Sequence, residues 1–332
     1  MDELKAIADY SFRTACMLNA HVAESCESRS GNRKPFWIDL FNPTAEEKGR
    51  VAADYHIEVP LRESLQEIET SSRLKADGAL LYVSMPLSLE DEVAGFAPMP
   101  LGFILSSELL VTVRYSDVHA FGLVEAGIAP GLHASSAVFV ALIEAMVDFY
   151  ADSLERLSNS LAALSARVFG PRGSSQKTAK HVSGALRECL MEIGIAGDHL
   201  SRTRESMLGL QRIIGFVLKA ASWWSPVEKT RLGTAQQDLT SVVDFQGHLV
   251  AKTQFILDAI LGFINTEQND IFKVLTIASV VGIPPMLIAS MYGMNFRDMP
   301  ELSWRWGYPY GLALIVLSIV FPILWFKRRR WW

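Results

Sequence analysis

The stretch IFKVLTIASVVGIPPMLIASMY, from Ile271 to Tyr292, is one of two long apolar runs in the C-terminal part of the chain. The other is YPYGLALIVLSIVFPILWF, from Tyr308 to Phe326. Because an α-helix rises about 1.5 Å per residue, a helix over either run spans close to the roughly 30 Å of a bilayer's hydrocarbon core. Tryptophan and tyrosine gather at the ends of both runs, as in the aromatic belts of membrane proteins. We therefore predict transmembrane helices at 271–292 and 308–326, in preference to two helices buried in a soluble core.

The residues around these spans predict their orientation. The sequence KRRR at 327–330 is the densest cationic cluster near either span, and such clusters stay on the cytoplasmic side. Two crossings return the chain to its starting side, which leaves an external loop at 293–307 and a basic cytoplasmic tail at 327–332. The N-terminal sequence MDELKAIADY lacks the basic start and apolar core of a signal peptide. We expect a multi-pass protein of the cell inner membrane with both termini in the cytoplasm.

The first part of the chain, 1–130, mixes strand-like and helix-like segments and predicts a cytoplasmic α/β domain. FWIDLFNP, ALLYVSMPL and the segment from Leu101 have the apolar runs and turn residues of strands. A helix is predicted from Thr44, because Thr44 and Glu47 have the spacing of a capping box. A second helix is predicted from Leu61.

Long amphipathic patterns replace the strand signals over 131–270. They predict three long helices, broken at FGPRGSS and SWWSP, which form a helix bundle and a stalk helix. The last of these helices starts near Val227 and meets no convincing breaker before Pro284. The predicted fold class is thus an α+β cytoplasmic domain with long helices, followed by two transmembrane helices.

Composition excludes several classes of function. The net charge of -5 and the absence of zinc-finger or RNA-binding signatures argue against a nucleic-acid partner. The three cysteines form no CxxC pair, and the seven histidines show no metal-ligand spacing. GxSxG, Walker A and GxGxxG patterns are also absent from the sequence. We therefore expect no enzyme and no cofactor, and any transport would be passive.

Polar and small side chains recur at heptad spacing along the helix that enters the membrane. Two helices cannot enclose a water path, so several copies would have to surround a common axis. Polar side chains at membrane depth are costly unless they face a cavity or a neighbouring helix. A ring of Asp258 would gather cations, and apolar rings would form constrictions that gate by excluding water. The predicted inward-facing residues are Asp258, Gly262, Asn265, Asn269, Phe272, Thr276, Ser279, Ile283, Met286 and Ser290.

Two interpretations of this stripe stay open. Gly262, Thr276, Ser279 and Ser290 are also the small residues that permit close helix packing, with the asparagines bonding across the interface. Asn265 and Asn269 favour a pore more than packing, because they lie just before the apolar segment, at the depth of an entrance.

The first span ends in the polar turn SMYGMNF, from Ser290 to Phe296. Gly293 permits tight backbone geometry, and Asn295 offers neutral carbonyl oxygens. A ring of neutral oxygens could hold a hydrated Mg²⁺ through its water shell, which suits an ion that dehydrates reluctantly. Taken alone, a Gly-Asn turn is also an ordinary structural feature.

Several motifs together resemble the CorA family of magnesium and cobalt transporters, whose members carry a GxN motif and two transmembrane helices. They are GFINTEQND before the first span, IPP within it, YGMNF at its end, MPEL at 299–302, WGYP at 306–309 and the basic tail. The resemblance implies a homopentameric channel with a funnel of long helices and a pore lined by the first span. It also implies that Gly293, Met294 and Asn295 form the outer selectivity site. Together with the stripe, this makes Asn295 and Asp258 the expected metal-contacting residues and Mg²⁺ the expected transported ion, with Co²⁺ and Ni²⁺ as further candidates.

The external loop departs from the family pattern at one position. Several relatives carry an acid directly after GMNF, whereas this chain has Arg297, followed by Asp298 and Glu301. A ring of Arg297 would oppose cation accumulation unless those carboxylates offset it. The alternatives to a magnesium channel are therefore a zinc transporter of the same fold and a membrane-anchored sensor or scaffold with a closed pore.

Acidic residues at helical spacing follow position 131. Such a stripe could concentrate divalent cations, although a solvated helix face is the more common explanation. In the CorA family, Mg²⁺ bound between cytoplasmic domains favours the closed state, but no motif here transfers those regulatory positions. The acidic residues are Glu144, Asp148, Asp152 and Glu155.

Overall fold

The structure is a computed structural model, and it describes residues 35–66, 73–88, 98–131, 134–170, 179–294, 300 and 304–329. These residues fall into two compact units. The first contains the described residues from 35 to 170 together with Glu188–Ile256. The second contains those from 179 to 187 and from Leu257 onward.

The first unit begins with a five-stranded sheet. In chain order its described elements are β1 (Trp37–Phe41), α1 (Ala45–Tyr55), α2 (Arg62–Gln66), β2 (Leu74–Asp77), β3 (Leu80–Ser88), β4 (Pro98–Leu105), β5 (Leu110–Arg114) and α3 (His119–Gly131). The strands lie in the order β1-β5-β4-β3-β2, with β1 parallel to β5 and the remaining neighbours antiparallel.

Four long helices follow the sheet: α4 (Ser135–Phe169), α5 (Ala179–Ala220), α6 (Pro226–Tyr292) and α7 (Gly307–Arg328). The three long helices predicted from the amphipathic pattern are thereby confirmed as α4, α5 and α6. With 67 residues, α6 is about 100 Å long at the usual rise per residue.

Local sequence explains where these helices begin. The predicted capping box of α1 is present, since Glu47 N–H donates to the Thr44 hydroxyl and the Thr44 N–H donates to the Glu47 carboxylate. A second capping box starts α6, where the Ser225 N–H donates to Glu228 and the Glu228 N–H donates to Ser225. Pro226 occupies the first helical position, where its missing N–H removes no helical bond.

The segment predicted as one strand from Leu101 is in fact a hairpin of β4 and β5. The Ser106 hydroxyl accepts hydrogen bonds from the N–H groups of Glu108 and Leu109, which closes the turn between the two strands. The edge strand β2 and the helix α3 were not predicted from the sequence.

The long helices α4 and α5 pack closely on one face of the sheet. Phe139 of α4 meets Phe103 of β4 edge-on, with ring centroids 5.5 Å apart. On α5, a Cβ added at Gly209 would lie only 3.0 Å from Met85 Cβ, so glycine allows this close approach to β3.

Within the first unit, α6 buries a stripe with heptad spacing. Gln246 is the polar member of this stripe, and it is satisfied: its Oε1 accepts from Arg204 at 2.8 Å and its Nε2 donates to the Leu200 carbonyl at 3.0 Å. Because a buried amide needs its partners in fixed places, Gln246 fixes the register of α6 against α5. The buried residues are Leu232, Ala235, Leu239, Gln246, Leu249, Thr253 and Ile256.

A buried ion pair joins β1 to β5. The Arg114 guanidinium donates through Nε to Asp39 at 2.9 Å, and the Thr112 hydroxyl donates to the same carboxylate at 2.6 Å. The guanidinium carbon lies 4.6 Å and 4.8 Å from the ring centroids of Phe41 and Phe121. The pair thus links both strands to the start of α3.

We predict that Asp39→Asn lowers the free energy of unfolding by on the order of 3 kcal/mol, because it removes the buried counter-charge of Arg114 and leaves the solvent-exposed carboxylate of Asp117, 3.4 Å from Nη1. The matched control is Lys75→Ala, which breaks the exposed pair between Lys75 and Asp77 and should cost less than about 1 kcal/mol. Thermal unfolding of the detergent-solubilised protein measures both. Equal shifts for the two variants would contradict this assignment.

Candidate functional site

The two predicted membrane spans coincide with helices of the second unit. Residues 271–292 form the end of α6, and 308–326 lie within α7. Both helices contain stretches long and apolar enough to cross a membrane. In these stretches, no side chain of α6 is buried, and in α7 the buried side chain is Phe326. The alternative of two helices buried in a soluble core is therefore wrong.

One face of each span packs against the other span. A Cβ added at Gly311 of α7 would lie 4.0 Å from Tyr292 Cδ2, so the glycine makes room for the tyrosine ring. Partly buried positions recur along α6 on the same face as Tyr292. They are Ile277, Val281, Pro284, Ile288 and Tyr292.

The predicted pore stripe lies on the opposite face of this segment. Ser279, Ile283, Met286 and Ser290 are each two positions from a partly buried residue, as Ile283 is from Val281, which places them about 160° around the helix. Phe272, Ile283 and Met286 are exposed by 63%, 61% and 75%. Asp258, Gly262, Asn265, Asn269, Thr276 and Ser290 are exposed as well, while Ser279 is partly buried. The protomer leaves the stripe uncovered.

Charges beside the stripe are largely balanced. Lys273 pairs with Asp270 one turn away, with 3.0 Å between Nζ and Oδ1. The stripe itself carries Asp258 and no basic residue. Among the described residues, no group of three or more acidic, histidine or cysteine side chains could hold a metal ion.

The first span ends in a turn at the predicted motif. The Gly293 N–H donates to the carbonyls of Ala289 and Ser290, and the Met294 N–H donates to Met291. A Cβ at Gly293 would lie 3.2 Å from the Ala289 carbonyl oxygen, which explains the preference for glycine. The remaining predicted residues of this region, Asn295, Arg297, Asp298 and Glu301, lie outside the described part of the chain. Their roles remain predictions.

The acidic residues of α4 are not uniformly solvated. Arg231 of α6 binds Glu144 through two hydrogen bonds, with 2.9 Å from Nε to Oε1 and 2.5 Å from Nη2 to Oε2. Burial raises the pKa of Asp148, and the nearby carboxylates of Asp152, Glu144 and Asp238 raise it further. Asp238 lies on α6, and no local pattern in the sequence signals that it joins this group.

The end of α7 carries the predicted cationic cluster. Lys327, Arg328 and Arg329 are exposed, and the Arg329 guanidinium lies 5.7 Å from the centroid of the Trp325 ring. Residues 330–332 lie outside the described part. Three cations beside an aromatic ring are typical of a helix end at a membrane–water interface.

Comparisons with known proteins give a consistent result. The family model described as CorA-like Mg2+ transporter protein matches residues 32–328. The chain is 31% identical over 302 residues to the magnesium transport protein CorA of Wolinella succinogenes, covering 89% of this chain and 90% of that protein. It is 29% identical over 299 residues to the protein of the same name from Escherichia coli K12, covering 89% and 91%.

A solved structure shares the fold. The complete structure of the CorA magnesium transporter from Methanocaldococcus jannaschii superposes with a TM-score of 0.72 and 20% identity, covering 91% of this chain and 93% of that one. This likeness shows a fold with a soluble domain and C-terminal apolar helices.

The two faces of the first span should differ in reactivity towards water-soluble reagents. In protein with Cys16, Cys26 and Cys189 replaced by serine and reconstituted in liposomes, we predict that cysteine at Thr276 or Ser290 reacts rapidly with a charged maleimide. Cysteine at the matched positions Ile277 or Ile288 should react many times more slowly, because a thiol ionises and reacts in water and not against a packed helix. Equal labelling of both sets would contradict the assignment of the stripe.

Proposed function

The chain belongs to the family of CorA-like Mg2+ transporters, and from this membership we propose that it is a passive channel for hydrated Mg²⁺ across the cell inner membrane. Members of this family are transporters and not enzymes. Co²⁺ and Ni²⁺, whose hydrated ions resemble that of Mg²⁺ in charge and geometry, are proposed as further substrates.

The uncovered polar stripe of the first span is the observation that carries this proposal. Packing between the two spans uses the opposite face of the helix, so it does not account for Thr276 or Asn269. Polar groups facing lipid would cost free energy. A water-filled axis shared by several copies, proposed here to be five, gives these groups an aqueous partner.

The order of side chains along the stripe suits a pore that binds each passing cation only weakly. A ring of Asp258 would concentrate divalent cations at the cytoplasmic end. Asn265 and Asn269 would offer neutral oxygens to the water shell of the ion. Phe272, Ile283 and Met286 would form rings without hydrogen-bonding groups, which exclude water when narrow and thereby close the path.

We place the outer selectivity site at Gly293, Met294 and Asn295. Neutral oxygens hydrogen-bond to the water molecules bound by Mg²⁺. Because they hold the hydrated ion only weakly, the ion can leave again, as conduction requires. Arg297, Asp298 and Glu301 would set the electrostatic potential of the external mouth. The basic tail and the large N-terminal body are both assigned to the cytoplasm.

The decisive experiment is Mg²⁺ influx into liposomes that carry the purified protein and a trapped magnesium dye. We expect fast influx in the wild type and a rate equal to that of protein-free liposomes for Asn295→Ala, because the site that receives the hydrated ion is lost. Gln268→Ala, an exposed polar position on another face of α6, is the matched control and should conduct normally.

External Zn²⁺ and Co²⁺ as competitors distinguish the alternatives. Zn²⁺ influx without Mg²⁺ influx would identify a zinc transporter and make Arg297 the next residue to change. No flux of any of these ions would favour a sensor or scaffold with a closed pore. Normal flux in Asn295→Ala would refute the selectivity site.

The apolar rings generate a separate prediction. Met286→Ala should raise the resting Mg²⁺ influx several-fold, because a smaller side chain widens the constriction and admits water. Leu287→Ala removes a similar exposed side chain from a neighbouring position off the stripe and should leave the resting influx unchanged. The same liposome assay measures both, and equal effects would argue against a hydrophobic gate at Met286.

A further inference from the structure

The part of α6 in the first unit has its own unpacked stripe. Opposite the buried heptad positions, eight residues lie at alternating spacings of three and four, and all of them are exposed. We call them the outer stripe: Thr230, Thr234, Gln237, Ser241, Asp244, His248, Ala251 and Phe255. It contains no lysine or arginine, and its polar run ends where Phe255 stacks on Phe169 of α4. Nothing in this stripe repels a cation.

Asp244 and His248 are four residues apart on this stripe. Side chains at this spacing are neighbours on a helix surface and can reach one ion together, as in helical metal motifs. In the described part of the chain, neither side chain has a hydrogen bond or an ion pair. The helix surface beside them is open, since a Cβ added at the adjacent Gly247 would meet no atom within 4 Å.

The chemistry of this pair differs from that of the proposed Mg²⁺ path. Imidazole is a ligand for Zn²⁺, Ni²⁺ and Co²⁺, whereas Mg²⁺ takes oxygen ligands and keeps its water. One helix supplies only two protein ligands, so a complete site needs the same residues from other copies. If copies of α6 surround a common axis, as the proposed function requires, their outer stripes bring these residues together.

We propose that Asp244 and His248 from several copies of α6 form a binding site for divalent first-row transition metals. This inference rests on the proposed oligomeric channel and adds a regulatory property to it. An ion held there by imidazole and carboxylate groups would dissociate slowly and hinder the passage of Mg²⁺. The site makes the Mg²⁺ flux sensitive to cytoplasmic Zn²⁺, Ni²⁺ or Co²⁺. These metals bind to it at concentrations at which Mg²⁺ does not.

Calorimetric titration of NiCl₂ into tag-free, detergent-solubilised oligomer tests the site without measuring transport. We expect saturable binding with less than one Ni²⁺ per chain, and His248→Ala should weaken it by about tenfold or more, as loss of a ligand does. His119→Ala removes another exposed histidine and is the matched control. His248→Cys restores a ligand of a type that transition metals accept and should recover most of the affinity.

Several results would overturn the proposal. They are the absence of Ni²⁺ binding in the wild type, one Ni²⁺ per chain, equal binding in wild type and His248→Ala, or equal losses in His248→Ala and His119→Ala. The flux assay is independent of these outcomes. Ni²⁺ binding that depends on His248, together with an absence of Mg²⁺ flux, would refute the channel and support the metal site. Normal Mg²⁺ flux without His248-dependent Ni²⁺ binding would support the channel and refute the metal site.

Discussion

The spacing of residues along α6 is the constraint on which the rest of the structure depends. In the first unit, mostly apolar side chains at alternating steps of three and four keep one face of the helix packed, from Leu232 to Ile256, with Gln246 and Thr253 as its polar members. A seven-residue repeat holds such a face towards its partners over many turns, whereas an irregular pattern would drift around the helix. The opposite face is then free of packing for the same distance, which gives a long surface to polar side chains.

Hydrogen-bonded polar groups inside the first unit fix the position of α6 along the helices that it packs against. Apolar contacts alone would allow α6 to slide along its partners by one heptad at small cost. The buried amide of Gln246 has two partners on α5, and Glu228 caps the helix while accepting a hydrogen bond from Ser136 of α4. Burial alone would raise the pKa of Glu228, but the hydrogen bonds from Ser136 and Ser225 lower it, so the carboxylate stays ionised as a cap. Displacing α6 would leave these groups buried without partners.

The sequence was informative where local physics decides the structure. The two spans, the three long helices and the capping box at Thr44 follow from hydropathy, periodicity and side-chain hydrogen bonding within a few residues. β2 was missed because its sequence, LKAD, is short and polar, and pairing with β3 makes it a strand. The ion pair between Glu144 and Arg231 joins residues far apart in the chain, so only the packing of α4 against α6 creates it. Asp238 lies near Asp148 for the same reason, because the packing of α4 against α6 brings the two carboxylates together. Residues 295–299 and 301–303 stay predictions from the sequence.

The stripe of the first span changes character along its length, and this change has an electrostatic reason. Acid and amide groups occupy its first part, at Asp258, Asn265 and Asn269, while Ile283 and Met286 lie deeper in the apolar segment. A carboxylate ring deep in a low-dielectric region would bind a divalent ion too strongly to release it. An apolar ring binds nothing, so it can close the path by losing water and open it by a small widening. In the proposed channel, the charged ring would collect ions where solvent screens it, and the apolar rings would open and close the path without holding the ion.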